Sequence, residues 1–448
     1  MRLDQGRKRM TDLAQDLLSS FVVAEPQLNG SRNLGVVHLR KEALDRFEAQ
    51  GFPTTRDEEW KYTNLKPVLK HDYRILLKGD DAVSFADIKS YLLSDLDTYK
   101  LVFINGKYSS WLSDATHQEF DVCTFAAALN KYPDIIAEYL GKGAPKGDTF
   151  VDLNTAFADD GAFIRVKTNQ TVDKPIEILY LTTNENGPAF SQVRNLIIAE
   201  QNAEVQLVER HQNIGDQPSF TNFVSEVFAA RDARVSYYKV QNDADAATLV
   251  DNTHVVQKEQ SNVHVGTYTF GGKLVRNNLH FYSAGERAES HMDGITIIGD
   301  GQTVDHHTLV DHQEPNCYSR ELYKGIYLGK SHGIFNGKVM VRQKAQKTNA
   351  FQQNDNILLS NKAKVDTKPQ LEIFADDVRC SHGCTVGQLD RNALFYLRSR
   401  GIPKREAEGL MTYAFAADAL EYVKIPQLEK RLNSVIAEKL GINLEFTL

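Results

Sequence analysis

The sequence predicts a mainly β protein, a β-helix flanked by N- and C-terminal α-helical domains. Three observations carry that prediction. From about residue 162 the chain is a succession of short β-rich segments, among them AFIRVKT, IEILYLT, NLIIAE, AEVQLVE, ARVSYYKV, VHVGTYTF and NNLHFYS, separated by Gly, Asn and Asp turns. The succession continues for more than 200 residues with no amphipathic helix between strands, which excludes a doubly wound α/β fold. A polar residue, Ala, a charged residue and then Val or Ser open four segments, at Ala203, Ala233, Ala288 and Ala363. Their successive intervals approximate one, two and three steps of a solenoid period of roughly 25–30 residues, which favours a β-helix over a sandwich.

In chain order, residues 1–160 form an N-terminal helical and mixed domain, 161–387 the β-helix core, and 388–448 a C-terminal helical domain. Met10 to Phe21 carries Leu13, Leu17 and Leu18 at helical spacing, and Lys41 to Gln50 repeats the pattern before Gly51 and Pro53 end it. The polar segment GFPTTRDEEWKYTNLKP follows, with Trp60 and Tyr62 embedded, and TFAAALNKYPDIIAEYLGK predicts one further helix. Beyond Gly387, Asp390 caps a helix that ends at Gly401, Pro403 starts a second, and Pro426 a third ending at Gly441. Leu394, Leu397, Leu410, Tyr413, Phe415 and Leu420 supply the apolar faces of these helices.

The 52 basic and 59 acidic residues leave a net charge of −7, which argues against a nucleic-acid or acidic-membrane binder. Asp12, Gln15 and Asp16 interrupt the apolar N-terminal stretch, so it lacks a signal-peptide core, and no stretch is long enough to span a membrane. A cytoplasmic location is the expectation. Four cysteines in 448 residues make no disulfide framework.

Leu328-Gly329-Lys330-Ser331 contains the last three residues of a Walker A motif. The glycine required five positions before Gly329 is Lys324, so no P-loop is expected. Eight of the thirteen histidines lie between His254 and His332 in no metal-ligand spacing, and outer-face or turn positions account for them. An Asp305–Asp311 carboxylate pair would suit a β-helix carbohydrate-active enzyme, the alternative reading, but solvated turns explain both residues equally well. Cys380-Ser381-His382-Gly383-Cys384 is more specific. After the strand-like LEIFADDV, period-two alternation places Cys380, His382 and Cys384 on one face, adjacent members about 6.6 Å apart. A straight strand cannot close all three around one ion, so further ligands must come from elsewhere in the fold or another chain. Packing of buried cysteines is the competing explanation.

The run TKPQLEIFADDVRCSHGCTVGQLDRNALFYLRSRGI (Thr367 to Ile402) resembles the signature of the SufD family of the SUF iron–sulfur cluster assembly system. FNGKVMVRQKAQKTNAFQQNDNILLS (Phe335 to Ser360), PNCYSRELYKGI (Pro315 to Ile326) and DEEWKYTNL (Asp57 to Leu65) support it. SufB shares the fold, but CSHG following LEIFADDV is the SufD form. The resemblance implies a right-handed parallel β-helix and a non-catalytic scaffold that pairs with a SufB-like subunit and binds a SufC-like ATPase. It also implies self-pairing of the isolated chain, and no cofactor held tightly by the chain alone. A transient iron–sulfur cluster shared with the SufB-like partner is implied at His382, with Cys380 and, less directly, Cys384 as further thiol ligands. Docking of the ATPase is implied at the C-terminal helices, through Leu394, Leu397, Leu410, Tyr413 and Phe415. Cys384 stands where the family usually has a small alanine.

Overall fold

A computed structural model describes residues 11–76, 82–93, 95–114 and 120–442. One recurring corner sets its coils. Asn202, Asp232, Gln260, Arg287, Asn316 and Lys347 all hold a left-handed backbone, with φ between 57° and 61°. Such a conformation costs roughly 1–2 kcal/mol for a residue with a Cβ, and it persists because each coil ties down the next. The Asn202 N–H donates to the Arg231 carbonyl at 2.9 Å, that of Asp232 to Glu259 at 3.0 Å and that of Gln260 to Glu286 at 2.9 Å. Each left-handed residue is followed by a small buried one: Ala203, Ala233, Ser261, Ala288, Cys317 and Thr348. Only a small side chain fits inside so tight a bend.

This corner explains three of the four repeat positions and corrects the fourth. Ala203, Ala233 and Ala288 stack along it, the Arg234 N–H donating to Ala203 O and that of Asn262 to Ala233 O. Ala363 lies on a different corner: it precedes the strand Lys364–Ile373, where the Lys364 N–H donates to Ser331 O. The interval from Ala288 to Ala363 therefore links two corners and does not count three coils of one.

Each of eight coils places one strand in each of two facing sheets. The first sheet runs from Ala162–Val166 to Lys364–Ile373, the second from Ile176–Thr183 to Arg379–Gly387, with parallel pairing throughout. Alternate residues point into the lumen, where Ile178, Leu207, Phe223, Tyr237, Val265, Met292 and Phe335 form a continuous core. The N-terminal end is capped. Phe120–Thr124 runs antiparallel beside Ala162–Val166, while Tyr99–Ile104 extends the second sheet and carries the antiparallel Lys107–Tyr108. At the other end, Lys364–Ile373 and Arg379–Gly387 are terminal strands, with nothing beyond them among the described residues.

Helices cover the outer faces. On the N-terminal side they are α1 (Asp12–Ala24), α2 (Leu34–Gln50), the single turns α3 (Lys66–Leu69) and α4 (Phe85–Ile88), α5 (Phe125–Lys131), α6 (Pro133–Tyr139) and α7 (Thr149–Phe157). Met10, the start of the first expected helix, lies outside the described residues; Thr11 caps α1 through its side chain. The one helix expected from TFAAALNKYPDIIAEYLGK is two, because Tyr132 turns to φ −132° and ψ 52° and Pro133 has no N–H with which to continue α5. Leu13, Leu17, Phe47, Trp60 and Phe150 pack on Phe190, Phe220 and Leu274 of the first sheet. At the C-terminus, α8 (Arg391–Ser399) is capped by Asp390, α9 (Lys404–Ala417) follows Pro403, and α10 (Pro426–Leu440) ends at left-handed Gly441. Leu420, Leu428, Leu432 and Ile436 pack on Tyr238, Tyr268, Ile295 and Ile326 of the second sheet.

Candidate functional site at the open end of the solenoid

Cys380, His382 and Cys384 lie on the last strand, Arg379–Gly387, in register with Ala350, Gln352 and Asn354 of the coil before. Those three partners are buried and face the lumen. The motif therefore shares one face, as the alternation predicts, and that face continues the inner wall of the solenoid. His382 and Cys384 are exposed because no ninth coil covers them among the described residues. Cys380 is half-buried against Val339, Val341 and Ala350, and burial pushes its thiol pKa up. A raised thiol pKa makes Cys380 a poor thiolate in these surroundings. Among the described residues, no group of three or more His, Cys, Asp or Glu side chains is placed to hold a metal ion.

His382 also borders an open cleft of about 510 Å³ that reaches Arg320, Glu321, Gln352, Asp418 and Glu421. Glu321 stands two coils behind His382 in the same inward column, since it pairs with Gln352 and Gln352 with His382. It is almost fully buried and accepts a hydrogen bond from Gln352 Nε2 at 2.7 Å; burial raises its pKa to about 7. Sequence reasoning missed Glu321. Only the coil register reveals that positions 321, 352 and 382 form one column.

Large apolar side chains are also left exposed at this end: Phe351, Ile373, Phe374 and Val386. A second such group lies on the C-terminal helices, with Phe395 73% and Tyr396 57% exposed, and Leu410 nearby in chain order. Leu394 and Leu397 are half-buried. Tyr413 and Phe415, expected to face a partner, turn inward toward the second sheet. The Tyr413 hydroxyl donates to Asn433 Oδ1 at 2.7 Å, and Lys324 Nζ lies 4.5 Å from the Phe415 ring centroid. The apolar surface these helices present is therefore Phe395, Tyr396 and Leu410.

The other motifs are structural. Gly329 and Lys330 form a turn between strands, with Gly329 at φ 52°, and the Lys330 N–H is held by Asp300 Oδ1. Lys324, at the position of the missing glycine, pairs with Asp418 at 2.6 Å and so ties the second sheet to the C-terminal helices. Six of the eight clustered histidines occupy outward-facing strand positions, as expected, and two point into the lumen. His306 bonds Thr296 Oγ1 at 2.9 Å and His312 bonds Ser319 Oγ at 2.9 Å, both inside the lumen; burial lowers each pKa to about 4. Asp305 receives Arg276 Nη1 at 2.5 Å, and Asp311 receives Arg342 Nε at 2.8 Å. Six positions apart on one strand, they are roughly 20 Å from each other, far beyond the spacing of a glycosidase pair. Arg276 also lies 4.4 Å from the Trp60 ring centroid, and Glu59 bonds His307 Nδ1 at 3.1 Å. The DEEWKYTNL segment is thus a strap over the first sheet, and Lys368 of the terminal coil reaches its Glu58 at 3.0 Å.

A solenoid capped at one end, with Cys380, His382, Cys384 and exposed apolar side chains at the other, has the architecture of a scaffold. Residues 180–415 match the family described as SUF system FeS cluster assembly, SufBD core domain, and residues 12–178 match the SufBD protein N-terminal region. The chain belongs to the SufBD family and is a scaffold protein of iron–sulfur cluster assembly. It is 32% identical to an iron–sulfur cluster assembly SufBD family protein of Synechocystis over 92% of this chain and 93% of that one. It is also 29% identical to the iron–sulfur cluster assembly protein SufD of Escherichia coli (89% and 92% covered) and 28% identical to that of Bacillus subtilis (97% and 99%).

Proposed function

We propose that this chain is a non-catalytic subunit that pairs through its open solenoid end with a SufB-like subunit and binds a SufC-like ATPase through its C-terminal helices. The observation that carries this reading is the asymmetry of capping. Strands protect one end of the solenoid, whereas the other leaves two strand edges, four large apolar residues and His382 uncovered. A second solenoid docked there would complete the strand pairing and bury the apolar side chains. The nascent cluster is cargo at that junction: His382 supplies an imidazole nitrogen, Cys380 and less directly Cys384 supply sulfur, and the partner supplies the remaining ligands. Phe395, Tyr396 and Leu410 offer the ATPase an apolar surface, and the failed Walker motif leaves ATP hydrolysis to that partner. No helix among the described residues is long and apolar enough to cross a membrane.

The test is co-expression with SufB-like and SufC-like subunits, followed by size measurement and iron and sulfide analysis. His382→Ala is expected to leave the complex assembled and cut cluster content at least fivefold. A complex that assembles and loads normally with His382→Ala rejects the shared site; purified chain that never joins either partner rejects the pairing.

A further inference from the structure

A second site lies on the opposite flank of the second sheet, where α10 crosses both that sheet and the turn following α4. Ser90, Arg210, Gln212, Asn242, Arg431 and Ser434 line a cleft of about 280 Å³ there. Arg210 points outward from the strand Glu204–Ile214, yet α10 covers it so well that only 6% of it is exposed. A buried guanidinium normally meets a carboxylate fork or several carbonyls, because its five N–H groups are costly to desolvate unpaired. Here Nη1 is buried with no hydrogen-bond partner among the described residues. The carboxylate facing it, Glu177, has Oε1 3.9 Å away, beyond hydrogen-bonding distance. Both Glu177 oxygens are already engaged, Oε1 by the Leu93 N–H at 2.8 Å and Oε2 by the Thr98 hydroxyl at 3.1 Å.

A second cation shares the cleft. Arg431 of α10 makes a single bond, at 3.3 Å, to the Ser90 carbonyl among the described residues, and leaves the rest of its donors free for a ligand. Burial lowers the Arg210 pKa to about 10, with Glu177 opposing the shift and the nearby Arg431 guanidinium adding to it. Among the described residues that line the cleft, Glu438 on the rim is the acidic one, while Glu177 lies behind Arg210 with both oxygens already bonded. Two like charges held together around unsatisfied donors are stabilised by an anion between them.

We propose that this cleft binds a compact tetrahedral oxyanion, a phosphate group, held by Arg210 from the sheet and Arg431 from α10, with Gln212, Asn242 and Ser434 as neutral partners. The bound anion would cross-link the solenoid, the C-terminal helix and the segment after α4. The phosphate can be free or part of a small phosphorylated molecule, and the chemistry at the two arginines is the same.

The test is thermal unfolding and calorimetric titration of the full chain with inorganic phosphate, ADP and malonate, each against sodium chloride at matched ionic strength. Saturable stabilisation by phosphate or ADP, absent with chloride, is expected. ADP binding tenfold tighter than phosphate assigns a nucleotide as the source, and the reverse order assigns free phosphate. Arg431→Gln, at an exposed position, is expected to fold normally and weaken binding at least tenfold; Arg210→Gln is expected to abolish it. Should Arg210→Gln fail to fold, Arg431→Gln alone decides. Stabilisation no greater than with chloride, malonate binding as tight as phosphate, or unchanged affinity in Arg431→Gln overturns the proposal.

Discussion

Single residues inside the lumen carry charge that most solenoid cores avoid. Lys239 Nζ lies 3.2 Å from Glu209 and 2.5 Å from Asp251, and His211 bonds Glu209 at 2.8 Å, all four side chains almost wholly buried. Burial opposes ionisation of Glu209, but Lys239 and His211 outweigh it and its pKa falls below the ordinary carboxylate range. Lys239→Met leaves buried Asp251 without its ion-pair partner and Glu209 with His211 in place of two cationic neighbours, and is expected to cost about 3–5 kcal/mol in urea unfolding. His306 and His312 on one side and Glu321 on the other make stability depend on pH in opposing directions. His306 and His312 have folded pKa values near 4 against 6.5 ordinarily, so their contribution is lost as pH falls from about 6.5 towards 4, when the unfolded chain takes up protons that the folded one refuses. Glu321 has a folded pKa raised to about 7, so its contribution is present at low pH and is lost as pH rises through 7. Between pH 7 and 5 each group is worth about 2 kcal/mol, two against the fold and one for it. Glu321→Gln removes the compensating group. Its loss of stability from pH 7 to 5 should exceed the wild-type loss by about 2 kcal/mol, the size of the missing linkage. Equal slopes for the two proteins in urea melts at those pH values would contradict this.

At the scale of elements, the left-handed corner is the unit that turns strands into coils. Lys347 holds φ 61° and its N–H reaches the Asp377 carbonyl at 2.5 Å, tying the last coil to the one before. Lys347→Gly should stabilise the protein by up to about 1 kcal/mol through relief of the left-handed backbone, whereas Lys347→Val should destabilise it by about 1–2 kcal/mol. Thermal unfolding of the two variants checks the sign of each. The C-terminal helices are a different case. Their inner faces meet Tyr238, Tyr268, Ile295 and Ile326, so removing α9 and α10 would strip the second sheet as well as any partner surface. The informative change is at the exposed face: Phe395→Asp should leave the melting temperature within a degree or two and lower affinity for the SufC-like ATPase at least tenfold in a pull-down or calorimetric titration. Undiminished affinity would place the ATPase elsewhere.

For the whole molecule, the open end predicts association. Without a SufB-like partner, the isolated chain should self-pair in a concentration-dependent way, and Val386→Lys, which puts charge on the exposed apolar end, should shift light-scattering mass towards monomer. A monomer at all concentrations would mean that this end is stable uncovered. Much of this architecture was legible beforehand. The switch from helical to strand grammar, the caps at Asp390 and Gly441, and the one-face placement of Cys380, His382 and Cys384 follow from periods of 3.6 and 2 and from backbone preferences, which are local properties of the chain. Tertiary structure alone decided what depends on coil register and on the end of the stack. Register joined Glu321, Gln352 and His382 into one column, separated Ala363 from the other three repeat alanines, and turned Tyr413 and Phe415 towards the second sheet. The absence of a ninth coil among the described residues made an inward-facing motif an exposed one. Whether an alternating side chain is buried depends on the neighbouring strand, which lies a full coil away in sequence and at this end is not there.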